Sequence, residues 1–350
     1  MKPRVLITRV LPEPALAVVR QACEVQLDPL DQQLTPAALR QAVADKHGIL
    51  CLITDCIDAP VLDAAADLKV VSNVAVGYDN IDVAAATQRG ILVTNTPGVV
   101  TESTADLTWS LLCSIARRIA EGDRYIRAGK WREWTLLLMA GGDVYGTTLG
   151  ILGMGRIGQA VARRAKGFHM RVLYHNRHRL EPALEAELNA TWVDKSTLLQ
   201  QADFVSVHVP LSAATTHFIG ADELRLMRPT AYLINASRGP VVDETALIQA
   251  LQQGWIAGAA LDVFEHEPQV PQALRELENV VLVPHIGSAS VATRTRMAVM
   301  AAENLVAVLR GESTPHVVNP AVLAQRTTTS RSQDCNEPRQ TGGATSRAQH

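Results

Sequence analysis

A chain of 350 residues with 47% hydrophobic content can bury a large core, and at roughly 100–200 residues per domain it is expected to hold two domains. Thirty-three basic residues against 35 acidic ones give a formal charge of −2, with no basic stripe interleaved with aromatics, so nucleic acid is not an expected partner. The absence of any apolar span of 18 or more residues, and of a cleavage site after the Met1–Val10 run, excludes a membrane partner and points to a cytoplasmic protein; five cysteines without a CxxC pair read as reduced and structural, with no metal site.

Short apolar runs alternate with helical patterns through the first hundred residues. Val5–Thr8 precedes a helix over Ala15–Ala22, Ile49–Ile53 precedes Pro60–Ala66, Val70–Val76 precedes Val83–Arg89, and Ile91–Asn95 closes the series. This βαβ rhythm predicts a parallel sheet. After Pro97-Gly98, Leu107, Leu111, Leu112, Ile115 and Ile119 share one face of a single long helix expected over about Glu102–Arg127. Strands are then predicted at Leu149–Leu152, Arg171–Tyr174, Phe204–Val209, Ala231–Asn235, Ala257–Asp262 and Val280–Val283, the six of a full dinucleotide-binding sheet. A last helix over Ser290–Leu309 follows the cofactor strands and is expected to cross back to the first domain. The chain is thus α/β, with two doubly wound parallel-sheet domains. One is a discontinuous substrate domain over 1–98 and 287–320, flavodoxin-like; the other is a Rossmann domain over 99–286, with the active site expected in the cleft between them. Residues 325–350 hold no Leu, Ile, Val, Met or aromatic residue and are expected to be a disordered tail.

The strand Leu149–Leu152 runs into Gly153, Gly155 and Gly158 in GxGxxG spacing, then into a helical pattern and a second strand. In that order the glycines have separate duties: a tight turn, close approach of backbone to a pyrophosphate, and close packing of helix on sheet. The helix N-terminus offers free N–H groups to phosphate. An NAD-specific site calls for a carboxylate at the end of the second strand, where this chain has Asn176. Arg177 and Arg179 follow, and both are candidates to pair with a 2′-phosphate. NADPH is therefore the expected cofactor, with NADH also accepted.

In open α/β sheets ligands lie beyond the C-terminal strand ends. Arg238 follows AYLINAS, Asp262 and Glu267 follow GAAL, and His285 follows NVVLVP. An arginine to fix a carboxylate and polarise a carbonyl, a histidine to donate a proton and a carboxylate to hold the imidazole suit reduction of a 2-keto acid. His208, after FVSV, competes with His285 for the same role.

The segments NVAVGYDNID (Asn73 to Asp82), GMGRIG, INASRGPVVDE (Ile234 to Glu244), ALDVFEHEP (Ala260 to Pro268) and VPHIGSA (Val283 to Ala289) together resemble the D-isomer-specific 2-hydroxyacid dehydrogenase family, in family order. The resemblance implies Arg238, Glu267 and His285 as the catalytic set and assigns His208 to a cofactor-side loop. It implies that backbone N–H groups of Val76 and Gly77 receive the substrate carboxylate, with Ser288 as a further substrate contact. The implied cofactor residues are Thr104, Gly153, Gly155, Arg156, Ile157, Gly158, Asn176, Arg177, Arg179, Val209, Pro210, Ala236, Asp262, His285 and Gly287. TPGVVTESTAD, GKWREW and YHNRHR resemble glyoxylate and hydroxypyruvate reductases, a group that includes 2-ketogluconate reductases. Trp131 and Trp134 match aromatics that such reductases place near a partner subunit, so a homodimer is expected. A corepressor-like dinucleotide-binding module is the alternative of another class, and an NAD-preferring dehydrogenase of different substrate is the alternative within the class.

Overall fold

Strands apolar along their whole length and flanked by helices must hide both faces, and a parallel sheet covered on both sides satisfies that demand. The computed structural model describes residues 1–324, and the expected tail over 325–350 lies outside the described residues. The chain divides into two units, one made of 1–97 with the segment from Met297 onward, the other of Gly98–Arg296.

The first unit contains β1 (Arg4–Ile7), α1 (Glu13–Ala22), β2 (Glu24–Leu27), α2 (Pro36–Val43), β3 (Gly48–Cys51), α3 (Ala59–Asp63), β4 (Val70–Asn73), α4 (Val83–Gln88) and β5 (Leu92–Thr94). The strands are parallel in the order β2-β1-β3-β4-β5, the flavodoxin-like arrangement. Strands β3, β4 and β5 are buried throughout. Three helices start on side-chain caps: Thr35 accepts from Ala38 N–H at 3.2 Å, Asp58 from Val61 N–H at 3.0 Å and Asp82 from Ala85 N–H at 2.8 Å. Each cap satisfies a donor that a helix start leaves unpaired. β2 and α2 are absent from the sequence reading. β2 is an edge strand with the half-exposed sequence EVQL, which offers no apolar run to detect.

The second unit runs α5 (Thr101–Ala116), α6 (Ile119–Arg127), β6 (Thr148–Leu152), α7 (Arg156–Ala165), β7 (Arg171–His175), α8 (Pro182–Leu188), β8 (Ala190–Trp192), α9 (Lys195–Gln201), β9 (Phe204–Val207), α10 (Ala221–Leu226), β10 (Tyr232–Asn235), α11 (Glu244–Gln252), β11 (Gly258–Leu261), α12 (Gln272–Arg275), β12 (Val280–Leu282) and α13 (Val291–Leu309). The boundary between the units falls inside α13. Its sheet is parallel in the order β12-β11-β10-β9-β6-β7-β8, a Rossmann order with the direction of winding reversing between β6 and β9. Seven strands stand where six are expected. The additional one, β8, has two of its three residues exposed and so lacks the apolar run of a central strand.

The single helix expected over Glu102–Arg127 is two helices. Arg118 takes a left-handed φ of 54° between them, and its guanidinium forks onto Glu121 with two 2.7 Å bonds. The carbonyl of Ala116 is taken by Gly142 N–H at 2.9 Å. A Cβ at Gly141 would stand 2.2 Å from that carbonyl oxygen, so a loop 25 residues downstream in sequence closes the helix end. The Arg117-Arg118 pair carries no Gly or Pro to announce the break. Among the described residues no helix is long and apolar enough to cross a membrane, and no group of three His, Cys, Asp or Glu side chains is placed to hold a metal.

Candidate active site

The glycine turn after β6 fits a dinucleotide phosphate. Gly153 has φ +98°, and a Cβ there would lie 2.7 Å from both His208 C and Val209 N, so the turn and the loop after β9 touch backbone to backbone. A Cβ at Gly158 would stand 2.4 Å from Gly153 O, whereas one at Gly155 would meet nothing within 4 Å. Gly158 is thus needed for helix packing, and Gly155 leaves open space beside the start of α7. That helix has no side-chain cap, and its first intrahelical bond is from Gln159 N–H to Gly155 O. The N–H groups of Arg156 and Ile157 have no partner among the described residues. Unpaired N–H groups at a helix start with room in front of them favour an anion.

The end of β7 separates the two arginines proposed for a 2′-phosphate. Arg179 forks onto Glu185 at 2.8 and 2.7 Å, and the same carboxylate accepts from Tyr174 OH at 2.6 Å. Those two hydrogen bonds hold the Glu185 carboxyl below its ordinary range. Arg179 is therefore engaged in holding the β7–α8 corner. Arg177 is exposed with no ion pair among the described residues. Asn176 Oδ1 accepts from Met154 N–H at 2.7 Å, which ties the end of β7 to the glycine turn.

Arg238, Glu267 and His285 come from neighbouring strands β10, β11 and β12. Asn235, 1% exposed, shapes the first turn: its Oδ1 accepts from Ser237 N–H at 3.1 Å and Ser237 OH at 2.9 Å, and its Nδ2 donates to Arg238 O at 3.0 Å. Arg238 Nη1 donates to Ser237 O at 2.9 Å. A Cβ on Gly239 would fall 1.8 Å from Phe264 O, so only glycine lets this turn lie against the loop bearing Glu267. In that loop Phe264 N–H donates to Glu267 Oε1 at 3.0 Å, while Glu267 Oε2 accepts from His285 Nδ1 at 2.8 Å. Burial pushes the Glu267 carboxyl up, but the His285 bond and charge, the Phe264 N–H and the Arg238 charge together hold it below its ordinary value.

His285 has φ 51°, a left-handed conformation costing on the order of 1–3 kcal/mol for a residue with a Cβ. Its backbone N–H bonds to Asp262 O at 2.9 Å and Val283 O at 3.1 Å, which fixes the ring toward Glu267. Asp262, 1% exposed, accepts from Ile286 N–H at 2.6 Å and Gly287 N–H at 2.8 Å. Burial pushes its carboxyl up against those two bonds. Gly287 O in turn receives Ser103 OH at 3.0 Å and Thr104 OH at 3.3 Å. Thr104, Asp262 and Gly287 are thus one cluster behind His285, and Ala236 is buried at the end of β10. Ser288 is half-buried, and its carbonyl accepts from Ser290 N–H at 2.8 Å. His208 is bonded through Nε2 to Ser206 Oγ at 2.8 Å, and burial drives its imidazole down to about 4, leaving it neutral at ordinary pH.

The sequence reading overlooks the residues that hold this set in place, Asn235, Gly239 and the pair Glu265–His217. Glu265 Oε1 and His217 Nε2 are 2.7 Å apart, and His217 has φ 50°. Asn235, Gly239 and Glu265 lie inside the INASRGPVVDE and ALDVFEHEP segments, the signal that could have found them, whereas nothing in the sequence marks His217.

In the first unit, Val76 and Gly77 follow β4. Their carbonyls accept from Asn95 Nδ2 at 2.8 Å and Asn73 Nδ2 at 2.9 Å, and their N–H groups have no partner among the described residues.

Residues 109–287 match the family described as D-isomer specific 2-hydroxyacid dehydrogenase, NAD binding domain. The chain belongs to the D-isomer-specific 2-hydroxyacid dehydrogenases. A glyoxylate reductase of Korarchaeum cryptofilum is 54% identical over 328 residues, 93% of this chain and 98% of its own. A solved structure from Thermus thermophilus is 46% identical with a TM-score of 0.84, covering 90% of this chain and 99% of that one. The NADPH-dependent glyoxylate/hydroxypyruvate reductase of Sinorhizobium meliloti, solved with NADP and malonate, is 35% identical with a TM-score of 0.81 over 92% of this chain and 98% of that one. This dehydrogenase is therefore an NAD(P)-dependent oxidoreductase with two parallel-sheet α/β domains.

Proposed function

We propose that this dehydrogenase reduces small 2-keto acids, glyoxylate and hydroxypyruvate first, to D-2-hydroxy acids, with NADPH as preferred reductant and His285 as proton donor. The observation that carries the reading is the 2.8 Å bond between Glu267 Oε2 and His285 Nδ1. With Nδ1 committed to the carboxylate, Nε2 is the ring nitrogen available to give a proton. Glu267, held below its ordinary value, is a carboxylate that accepts from Nδ1, and Phe264 N–H keeps it from turning away. Arg238 polarises the substrate carbonyl, and the Val76 and Gly77 N–H groups receive its carboxylate. The bound nicotinamide supplies the hydride.

The preference for NADPH rests on Asn176 and Arg177. A carboxyamide at the end of β7 presents no charge to repel a 2′-phosphate, and Arg177 is free to approach one. Arg179 supports this reading less, because its fork is held by Glu185. Trp131, Trp134, Leu136 and Leu137 are 56%, 72%, 81% and 78% exposed. An apolar run of that size on the surface supports a homodimer.

Steady-state rates with glyoxylate, hydroxypyruvate and 2-ketogluconate against NADPH and NADH test the proposal. Turnover of the first two with a higher kcat/KM for NADPH is the expected result. No cofactor oxidation with any of the three overturns the substrate reading, and equal or better rates with NADH overturn the cofactor reading.

A further inference from the structure

The loop between Asn73 and Asn80 has four successive carbonyls paired and three successive N–H groups without a partner among the described residues. Thr96 N–H takes the carbonyl of Ala75 at 2.9 Å, Asn95 Nδ2 that of Val76 at 2.8 Å, Asn73 Nδ2 that of Gly77 at 2.9 Å, and Ile81 N–H that of Tyr78 at 3.0 Å. Four successive carbonyls are thus paired within the unit. The N–H groups of Val76, Gly77 and Tyr78 have no partner among the described residues. A peptide plane whose oxygen is fixed has its N–H direction fixed as well, so binding the carbonyls from behind aims the donors outward. Successive outward N–H groups make an anion-binding concavity.

Asn73 is central to this frame. It is fully buried, and its Nδ2 donates both to Gly77 O and to Asn80 Oδ1, the latter at 3.0 Å. Asn80 passes the constraint on, donating to Leu52 O at 3.1 Å and Asp55 O at 3.0 Å. Asp55, 3% exposed, accepts from Thr8 OH at 2.5 Å and Leu52 N–H at 2.8 Å. The loop is therefore bolted at both ends to the C-terminal ends of β1 and β3. A carboxamide serves at both places because Asn73 donates twice and Asn80 accepts on one side and donates on the other; an aspartate in either place offers no donor.

We infer that Asn73 is a positioning residue for substrate binding: by holding the carbonyl of Gly77 it fixes the Tyr78 N–H of the same peptide plane and the far side of Gly77, completing a frame in which Asn95 and Thr96 fix the Gly77 and Val76 N–H groups through the Val76 and Ala75 carbonyls, so that the loop stands ready for a carboxylate. The inference rests on the proposal that these N–H groups receive the substrate carboxylate. It adds that the loop keeps this set of donors in place only while the buried Asn73 amide holds its last peptide plane.

The test uses the full-length enzyme saturated with NADP, and oxalate as a non-reacting dicarboxylate probe. Asn73→Asp keeps the shape of the side chain and removes both donors; Asn73→Ala removes them without adding a charge. Each variant is expected to raise the KM for glyoxylate and weaken oxalate binding by about tenfold, the effect of one hydrogen bond, with kcat and the KM for the cofactor near wild type. In wild-type protein labelled with 15N-valine and 15N-glycine, the Val76 and Gly77 amide signals are expected to shift on adding oxalate. If they do not shift, the carboxylate reading itself fails. If they shift and folded Asn73 variants still bind oxalate with wild-type affinity, that reading stands and the positioning inference is overturned. Loss of the folded state in both variants assigns Asn73 to folding and also rejects it.

Discussion

The two sheets of this dehydrogenase prepare their strand ends in opposite ways. In the first unit the side chains of Asn73 and Asn95 hold the backbone at Val76 and Gly77, and what is left to offer is N–H groups. In the second unit backbone N–H groups of Phe264, Ile286 and Gly287 hold the carboxylates of Glu267 and Asp262, and what is offered is the side chain of His285. The difference fits the tasks proposed for the two strand ends. Receiving a carboxylate needs only fixed donors, which a peptide supplies without titrating. Moving a proton needs a group that changes charge, so the peptide is relegated to support.

The contrast predicts that truncating a presented side chain costs chemistry, and His285→Ala is its severest test. The variant should lose about 10²–10⁴-fold in kcat, read in steady-state rates with glyoxylate; a rate near wild type breaks the proton-donor assignment. A smaller effect is expected where a side chain only tunes the ligand. Asn176→Asp retains an acceptor for Met154 N–H and adds a charge, so the ratio of kcat/KM for NADPH over NADH should fall roughly tenfold or more. An unmoved ratio removes the argument from Asn176.

The supporting groups of the second unit show in stability rather than rate. The imidazole of His208 lies at about 4 in the folded protein against 6.5 ordinarily. Between those values the unfolded chain takes up a proton that the folded chain does not, so stability falls as pH drops from 6.5 toward 4. Glu267, whose folded value is depressed, adds stability that is present above about 4.5 and is lost as pH falls through its lower folded value. His208→Gln should flatten the fall in Tm between pH 6.5 and 4.5, and an unchanged slope refutes the burial argument. The smallest expected effect lies in the first unit. Thr96 Oγ1 is buried without a hydrogen-bond partner among the described residues, so Thr96→Val should raise stability by about 1 kcal/mol. A loss of stability in urea unfolding shows that the hydroxyl has a role there.

Much of the frame was legible because its causes are local. The apolar runs of β4, β6, β9, β10 and β11 mark strands buried on both faces, and their alternation with helices leaves little choice but parallel order. The edge strands β2 and β8 were not legible, since a half-exposed strand carries little hydrophobic signal. The break at Arg118 escaped because it is imposed by a distant loop, with Gly141 and Gly142 closing on Ala116. At the candidate site the strand ends offered Arg238, Glu267 and His285 with His208 in competition, and the family resemblance chose among them, while their supports are ordinary-looking residues whose partners the sequence does not mark.

By itself the sequence determined the two-sheet α/β class, the glycine turn for a dinucleotide and the residue types at the strand ends, because these depend on periodicity and on chemistry carried by single positions. Only the tertiary structure decided that Arg179 is held by Glu185 while Arg177 is not, that His208 is half-buried and kept neutral while His285 meets Glu267, and that asparagines turn a backbone loop outward. Each of those outcomes depends on which groups are brought within about 3 Å of one another, and that distance is set by packing.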